Sequence, residues 1–268
     1  MSPSQREKAE RFVALHEGAP FVIPNPCDAG TAKVLESLGA EALATTSSGL
    51  AFTLGRSDGT VTLEEIVAHV GAVNAATSLP VSVDLENGYG DEPAEAARAV
   101  EAAAAAGAAG GSIEDFAPRG PLAGIYEREL AVARVSAAVE AAANVPGGFV
   151  LTARAENQIR DGAGLADTIE RLQAYEAAGA DVLYAPGLRT IEEVREVCGA
   201  VGKPVNVLAT PKLTAAEIFA AGAQRISVGG ALAFTAVAAF ADAATAIRDE
   251  GSFGGYLRPP GELTDWLS

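Results

Sequence analysis

Short apolar runs rich in β-branched residues alternate with longer stretches rich in alanine and glutamate along most of the chain. The short runs predict eight β-strands. They lie at 21–24, 42–46, 81–85, 111–114, 149–153, 181–184, 205–208 and 225–228. The longer stretches predict nine helices, because alanine and glutamate favour the helical conformation. They lie at 4–16, 30–38, 63–77, 93–106, 127–144, 164–178, 191–200, 214–221 and 231–250.

Glycine follows several of the predicted helices, at Gly39, Gly107, Gly179 and Gly222. Glycine is the usual residue at the left-handed position where a helix ends. Eight strand–helix units of this kind are typical of a closed parallel barrel. We therefore predict an α/β fold, a (β/α)8 TIM barrel in one domain over 1–268. An N-terminal helix would cover one end, and a C-terminal helical extension would follow the barrel. The tail, 251–268, belongs to no barrel unit, and we expect it to dock on this subunit or on a neighbouring one.

The composition is that of a folded protein. Of 268 residues, 49% are hydrophobic and 20% are charged, which is too apolar for a disordered chain. The formal net charge of −16 repels phosphate backbones, so we expect no nucleic-acid partner. No apolar run reaches the roughly 20 residues that span a bilayer. The two cysteines form no CxxC pair and predict neither a disulfide framework nor a zinc site. We expect a cytoplasmic protein with no membrane partner.

Acidic residues accumulate after the predicted strands, at the end of a barrel where active sites lie. They are Asp58, Asp84, Glu86, Glu114, Asp115 and Glu156. So many carboxylates cannot all ionise close together without a compensating cation. Oxygen ligands without cysteine or histidine suit Mg²⁺, with Mn²⁺ as the alternative. We predict a metal site at Asp84, Glu86 and Glu114, whereas Asp115 and Glu156 fit helix caps or ion pairs equally well.

Other polar residues at the same end suit binding of a carboxylic acid. The guanidinium of Arg154 can hold a carboxylate through two hydrogen bonds, or can pair with a neighbouring acid. Ser48 and Gly49 follow the second strand and can offer backbone N–H groups to an anionic oxygen. Asn206 on the seventh strand and Asp84, which is also a candidate metal ligand, complete the candidate substrate-binding set. No glycine-rich nucleotide motif is found, and His16 and His69 fall in outer helices, where we expect surface residues.

Several motifs together resemble the isocitrate lyase/phosphoenolpyruvate mutase superfamily over roughly residues 8 to 250. They are, in order, Asn25-Pro26-Cys27-Asp28-Ala29-Gly30, Thr46-Ser47-Ser48-Gly49, the segment 84–90, Ser112-Ile113-Glu114-Asp115 and Ala153-Arg154. The resemblance implies a (β/α)8 barrel, a homotetramer or dimer of dimers that swaps a C-terminal helix, and a Mg²⁺ site for a 2-oxo acid or its enolate. We expect a homo-oligomer, a dimer or a tetramer, also because the last predicted helix is apolar.

The resemblance also implies roles for individual residues. Asp84, Glu86 and Glu114 match the metal shell, partly through water, and Asp58 matches an acidic position near the metal and the substrate. The other matching positions bind substrate, Ser48 and Gly49 through their amides and Arg154 through its side chain. The Asp-x-Asp pair of many members is here Asp84-Leu85-Glu86.

The segment after the fourth strand departs from the family pattern. In the lyases this mobile gate carries Lys-Lys-Cys-Gly, and in the phosphonate mutases it carries Lys and Asn. Here the gate, 116–127, has Arg119 as its only cation and contains neither motif. The departure disfavours isocitrate lyase, methylisocitrate lyase and phosphoenolpyruvate mutase as the specific activity.

The leading hypothesis is a Mg²⁺-dependent lyase for a small 2-oxo or 2-hydroxy carboxylic acid. It would cleave a C–C bond beside the enolate, by decarboxylation or retro-aldol chemistry. Asp58 or a metal-bound water would carry the proton, and Arg119 and Glu127 would arrive when the gate closes. One alternative is a phosphonopyruvate-type P–C hydrolase or phosphonomutase. Another is a non-catalytic protein that binds a 2-oxo acid.

Overall fold

The central sheet of the molecule is an eight-stranded parallel barrel. The computed structural model describes residues 3–160, 164–253 and 266. The barrel strands are β1 Phe21–Ile23, β2 Leu43–Ala44, β3 Val81–Asp84, β4 Gly110–Glu114, β7 Val150–Arg154, β8 Val182–Tyr184, β9 Val205–Leu208 and β10 Arg225–Ser227. They pair in the order β1-β10-β9-β8-β7-β4-β3-β2. The Ala44 N–H donates to the Pro24 carbonyl oxygen over 3.1 Å and joins the two ends. The predicted (β/α)8 barrel is therefore confirmed.

All nine predicted helices are present, together with three short elements that the pattern did not predict. The helices are α1 Gln5–Glu17, α2 Ala29–Ser37, α3 Ser47–Thr53, α4 Leu63–Ala76, α5 Pro93–Ala105, α6 Arg128–Ala143, α7 Asn157–Arg160, α8 Leu165–Ala177, α9 Ile191–Ala200, α10 Ala215–Ala220 and α11 Ala231–Glu250. The additional elements are α3, α7 and an antiparallel hairpin of β5 Phe116–Ala117 and β6 Gly124–Ile125. All three lie in loops that follow barrel strands. Apart from 251–253 and Trp266, the predicted tail lies outside the described residues.

Apolar side chains pack between the barrel and its helices, whereas the barrel interior is polar towards the carboxyl ends of the strands. Along β3, β4 and β7 the residues Val83, Ile113 and Leu151 face the helices and belong to one buried cluster. The residues between them face inward, because side chains alternate along a strand. These inward residues are Ser82, Asp84, Ser112, Glu114, Thr152 and Arg154. This part of the interior thus resembles a binding site in composition, whereas the opposite end is filled by an apolar cluster that includes Phe12, Phe21 and Val150.

Helix α1 covers the N-terminal end of the barrel, as predicted. The side-chain amide of Gln5 donates to the carbonyl oxygens of Ala104 and Ala108 over 2.9 and 3.0 Å. Phe12 is fully buried beneath β4, where a Cβ added to Gly110 would lie 2.8 Å from its ring. A residue larger than glycine at this position would therefore push α1 away from the barrel.

His16 is not a surface residue, and that expectation was wrong. The last turn of α1 places it under the barrel, where its Nδ1 lies 2.7 Å from the Phe12 carbonyl oxygen and its Nε2 lies 3.0 Å from Arg225 Nη1. The guanidinium can only donate, so Nε2 must accept and Nδ1 must carry the proton. Burial, followed by the charge of Arg225, lowers the pKa of His16 to about 3.

His16 should make the protein less stable in acid. The folded-state pKa, about 3, lies below the usual value of 6.5, so the unfolded chain takes up the proton first as the pH falls. His16 therefore has no effect above pH 6.5, and below it the free energy of unfolding should fall by about 1.4 kcal/mol per pH unit. Urea titrations at pH 7 and pH 5 measure this loss. The variant His16→Gln keeps an acceptor for Arg225 and should lose less stability over the same interval. An equal loss in both proteins would contradict the assignment.

The C-terminal helix α11 is apolar and largely exposed. It is long and apolar enough to cross a membrane, by length and composition alone. Only 11% of the residues in its apolar 18-residue window are buried. The expectation that no run is long enough was therefore wrong. Asp242 interrupts the apolar residues, yet the mean hydropathy over 18 positions is still 1.4. Its exposed side chains include Phe240, 76% accessible, and Phe234, 48% accessible. A second subunit that covers this helix stays a prediction, as does the absence of a membrane partner.

Candidate active site

Three neighbouring strands bring the main polar side chains to one end of the barrel. The register pairs Asp84 of β3 with Ser112 of β4, and Glu114 of β4 with Arg154 of β7. A cavity of about 120 Å³ opens there. It is lined by Ser47, Asp58, Gly59, Glu86, Glu114, Phe116, Pro118, Arg154 and Arg160. Three of the six acids that the sequence predicts for this end of the barrel, Asp58, Glu86 and Glu114, thus line one cavity.

Arg154 lies among these carboxylates. Its Nη1 is 3.4 Å from Glu114 Oε2 and 3.9 Å from Asp84 Oδ1, and its Nε is paired with Glu156. The guanidinium carbon is 5.0 Å from the centre of the Tyr184 ring. With these contacts the side chain is held in one orientation, as a residue that recognises a planar carboxylate must be.

The buried acids of the cavity are hard to ionise together. Burial, assisted by the charges of Asp84 and Asp58, raises the pKa of Glu86 to about 8. Burial also raises the pKa of Glu114 well above its usual range, although Arg154 acts in the opposite direction. The Oε1 atom of Glu86 is buried and has no hydrogen-bond partner in the described part of the chain. A buried, unpartnered carboxylate oxygen beside other acids calls for a bound cation or an ordered water.

This donor set fits a hydrated Mg²⁺ better than a cage of protein ligands. Among residues 3–160, 164–253 and 266, no three Asp, Glu, His or Cys side chains are close enough together to hold an ion directly. Mg²⁺ usually keeps several waters and is held by one or two carboxylates. Asp84, Glu86 and Glu114 fit such an ion only if part of the contact runs through water, and the metal shell that the resemblance implies stays a prediction.

Helix α3 begins at the edge of the cavity and uses part of the predicted amide site for its own cap. Thr46 accepts a hydrogen bond from the Gly49 N–H over 3.4 Å, and its hydroxyl lies 3.0 Å from the Ser48 hydroxyl. The Ser47 N–H points to Asp84 and lies 3.2 Å from its Oδ2. Ser47, which the sequence analysis did not single out, lines the cavity, whereas the Gly49 amide is already used to cap the helix.

The gate reaches across the mouth of the barrel. Its Arg119 donates a hydrogen bond to the Gly59 carbonyl oxygen. A Cβ added to Gly59 would lie 3.2 Å from the Pro118 side chain. Asp58, next to Gly59, is exposed to solvent but lines the cavity. Glu127 is exposed just before α6 and does not line the cavity, so the structure does not bring this predicted catalytic residue to the mouth.

Asn206 lies deeper in the barrel than a residue of the mouth. It is 1% exposed and shares an interior cavity of about 60 Å³ with Asp84 and Arg154. Its Nδ2 donates to the Ser227 hydroxyl over 3.0 Å, and its Oδ1 accepts from Arg225 Nε over 2.8 Å. Asn206 could thus contact a substrate only through the second hydrogen of its side-chain amide, which these two bonds leave unused.

Asp115 and Glu156 have structural partners, in agreement with their alternative interpretation. Asp115 Oδ2 accepts from Arg171 over 3.1 Å and from the Tyr175 hydroxyl over 2.5 Å. Glu156 pairs with Arg154 and, over 2.8 Å, with Arg160 Nε. Arg160 was missed by sequence reasoning. The available signal was its spacing, four residues after Glu156, which places both on one face of a helical turn.

The chain belongs to the phosphoenolpyruvate phosphomutase family, whose model matches residues 12–248. A solved structure from Burkholderia cenocepacia J2315, provisionally assigned as a lyase or mutase, is 47% identical with a TM-score of 0.94, covering 98% of this chain and 96% of that one. An uncharacterised protein of Mycobacterium tuberculosis (strain ATCC 25618 / H37Rv) is 32% identical over 87% of each chain. The 2,3-dimethylmalate lyase of Eubacterium barkeri is 31% identical over 88% of this chain and 84% of its own.

These matches confirm the resemblance to the isocitrate lyase/phosphoenolpyruvate mutase superfamily. The chain is an enzyme of this superfamily, several of whose members among the relatives are named as carbon–carbon lyases. The match argues for the catalytic hypotheses over a non-catalytic binding protein.

Proposed function

We propose that the protein is a Mg²⁺-dependent lyase that cleaves a C–C bond in a small 2-oxo or 2-hydroxy carboxylic acid. The reaction would be a decarboxylation or a retro-aldol cleavage beside an enolate. The observation that carries the proposal is the buried carboxylate cluster around Arg154, in which Glu86 keeps an unpartnered oxygen. The similarity to 2,3-dimethylmalate lyase supports the substrate class, since dimethylmalate is a small 2-hydroxy acid.

Asp84, Glu86 and Glu114 would hold the cation, which is Mg²⁺ or, alternatively, Mn²⁺. When bound, the ion acts as a Lewis acid and stabilises negative charge on the substrate oxygen. Arg154 binds the substrate carboxylate with the guanidinium hydrogens that its acid contacts leave free. We assign the accompanying backbone contact to Ser48, because the Gly49 amide is bonded to Thr46.

Asp58 and Arg119 act at the open side of the cavity. The contact of Arg119 with Gly59 draws the gate over the mouth and limits the access of water to the reacting carbon. Asp58 is solvent-connected and borders the cavity, so it can exchange a proton with bulk water and carry it to the product.

A screen of small 2-oxo and 2-hydroxy acids by thermal shift, with MgCl₂ and with EDTA, tests the proposal. A ligand at 100 times its Kd stabilises the folded state by about 2.7 kcal/mol. We expect at least one acid to raise the Tm only with Mg²⁺ and to be consumed when followed by NMR, with the product identifying the bond cleaved. An acid that binds with Mg²⁺ but persists unchanged contradicts the lyase assignment. If no acid responds, the site assignment itself is wrong.

Phosphonate chemistry is the second candidate, because the family model that matches is that of a phosphomutase. Cleavage of a P–C bond in phosphonopyruvate would use the same acids and Arg154. The gate, with Arg119 in place of Lys and Asn, argues against it. Release of inorganic phosphate from phosphonopyruvate, faster than consumption of any 2-oxo acid, would favour this candidate over the lyase.

A further inference from the structure

Arg225 is a buried cation whose side chain is bonded only to neutral groups. It begins β10 and is 5% exposed. Its Nε donates to Asn206 Oδ1 over 2.8 Å, its Nη2 donates to Thr152 Oγ1 over 3.0 Å, and its Nη1 lies 3.0 Å from His16 Nε2. In the part of the chain that the structure describes, no ion pair joins Arg225 to a carboxylate.

Such an arrangement is costly for the fold. A buried charge is normally paired, and an unpaired one opposes folding. Burial lowers the pKa of Arg225 to about 10, because loss of solvent disfavours the charged form. An apolar residue of the same volume would oppose folding less than this buried charge does. The presence of Arg225 therefore indicates that it contributes to the candidate active site, which lies above it in the barrel.

Arg225 lies one layer below the mouth. The strand register pairs it with Asn206, and its partner Thr152 precedes Arg154 by two residues on β7. Residues two apart on a strand face the same side, so Thr152 and Arg154 are successive inward positions. Arg225, Asn206, Arg154 and Asp84 line the same interior cavity.

The hydrogen bond from Arg225 determines which way the Asn206 amide points. A guanidinium has only donors, so it must face the amide oxygen. The amide nitrogen is then on the other side, where it donates one hydrogen to Ser227 and retains a second. Rotating the Asn206 amide by 180° would place its N–H donors against the N–H donors of Arg225.

We propose that Arg225 is a positioning residue, which orients the Asn206 amide so that its second N–H donates to an oxygen of the bound acid. The inference rests on the proposed function, because it requires an acid bound at the barrel mouth. His16 and Thr152 complete the arrangement by holding the other guanidinium nitrogens in place.

A double-mutant cycle with oxalate as the probe tests this role. Oxalate is a small planar dianion that mimics an enolate, and calorimetry with MgCl₂ measures its Kd. We expect Arg225→Met and Asn206→Ala each to weaken binding at least tenfold. The double variant should be no more than twofold weaker than Asn206→Ala, because Arg225 acts through that residue. The control Arg195→Met removes an exposed cation on α9, away from this network, and should change Kd less than twofold.

The possible outcomes distinguish a positioning role of Arg225 from a purely stabilising role, and distinguish failure of this inference from failure of the proposed function. A further tenfold loss in the double variant overturns the inference, since Arg225 would then act independently of Asn206. If Arg225→Met does not fold, Arg225→Gln replaces it in the cycle, because a glutamine amide carries both a donor and an acceptor and does not dictate the orientation of Asn206. If the parent protein binds no oxalate, the proposed function fails, and the crystal structure of the variant decides the inference. An Asn206 amide that keeps its orientation and its bond to Ser227 without Arg225 overturns it, whereas a rotated or disordered amide supports it.

Discussion

Replacing Glu114 by glutamine should abolish most of the turnover of any acid that the protein consumes. Glutamine has nearly the same shape but carries no negative charge, so Glu114→Gln weakens the hold on a cation while it preserves packing. Substitutions around metal ligands typically cost 10–100-fold, and we expect kcat/KM to fall by at least about 100-fold at this buried position. Excess MgCl₂ should recover part of the loss, because the defect is one of metal affinity.

The matched control is Glu101→Gln, an exposed carboxylate on α5 far from the mouth in the chain's topology. Its kcat/KM should stay within twofold of the parent protein. Steady-state kinetics over a range of MgCl₂ concentrations, together with the Tm of each variant, distinguish a metal defect from unfolding. Unchanged turnover in Glu114→Gln would show that the acid cluster is not the reaction centre.

Replacing Arg154 by lysine should be nearly as damaging, although the charge is retained. Lysine is a point charge without the planar fork, so it cannot hold a carboxylate through two parallel bonds. Lysine can restore one of the two bonds, and the lost charged hydrogen bond is worth about 1.5–3 kcal/mol, which corresponds to a loss of roughly 10–100-fold in kcat/KM. The loss should be largest in KM if the guanidinium binds substrate and transition state equally.

Arg195→Lys, an exposed arginine on α9, is the control and should behave as the parent protein does. Thermal unfolding separates binding from structure, because Glu156 keeps Arg160 as a partner when Arg154 is replaced. A variant with a normal Tm and normal kinetics would contradict the assignment of Arg154 to substrate binding.

The barrel and the acid cluster could be predicted because both depend on the order of residues along strands. Asp84, Glu114 and Arg154 each follow a short apolar segment, and parallel strands bring their ends to one rim. The polar interior was missed, although a signal was present. Ser112 and Thr152 precede Glu114 and Arg154 by two residues, and this spacing places them inside the barrel, one layer lower.

The gate contact and the Arg225 network could not be predicted, because they join residues far apart in sequence. Arg119 reaches a carbonyl 60 positions earlier, and His16 and Arg225 are 209 positions apart. No local pattern specifies such pairs. His16 shows the difficulty most clearly: helical periodicity located its element correctly but did not reveal which buried group the side chain would meet. The helix α3 was locally encoded, by Thr46 and Gly49, but the apolar run before it favoured an extended strand.

In this barrel, stabilisation of the fold and chemistry at the site depend on different side chains of the same strands. Cohesion of the fold comes from the apolar layer between strands and helices, where Val83, Ile113 and Leu151 are buried. Chemistry belongs to the alternate positions on the same strands. Substitutions at inward positions near the carboxyl ends of the strands are therefore expected to alter the site more than the apolar packing of the fold. Such a barrel can acquire a new substrate by a few inward substitutions, without first needing extra stability to tolerate them.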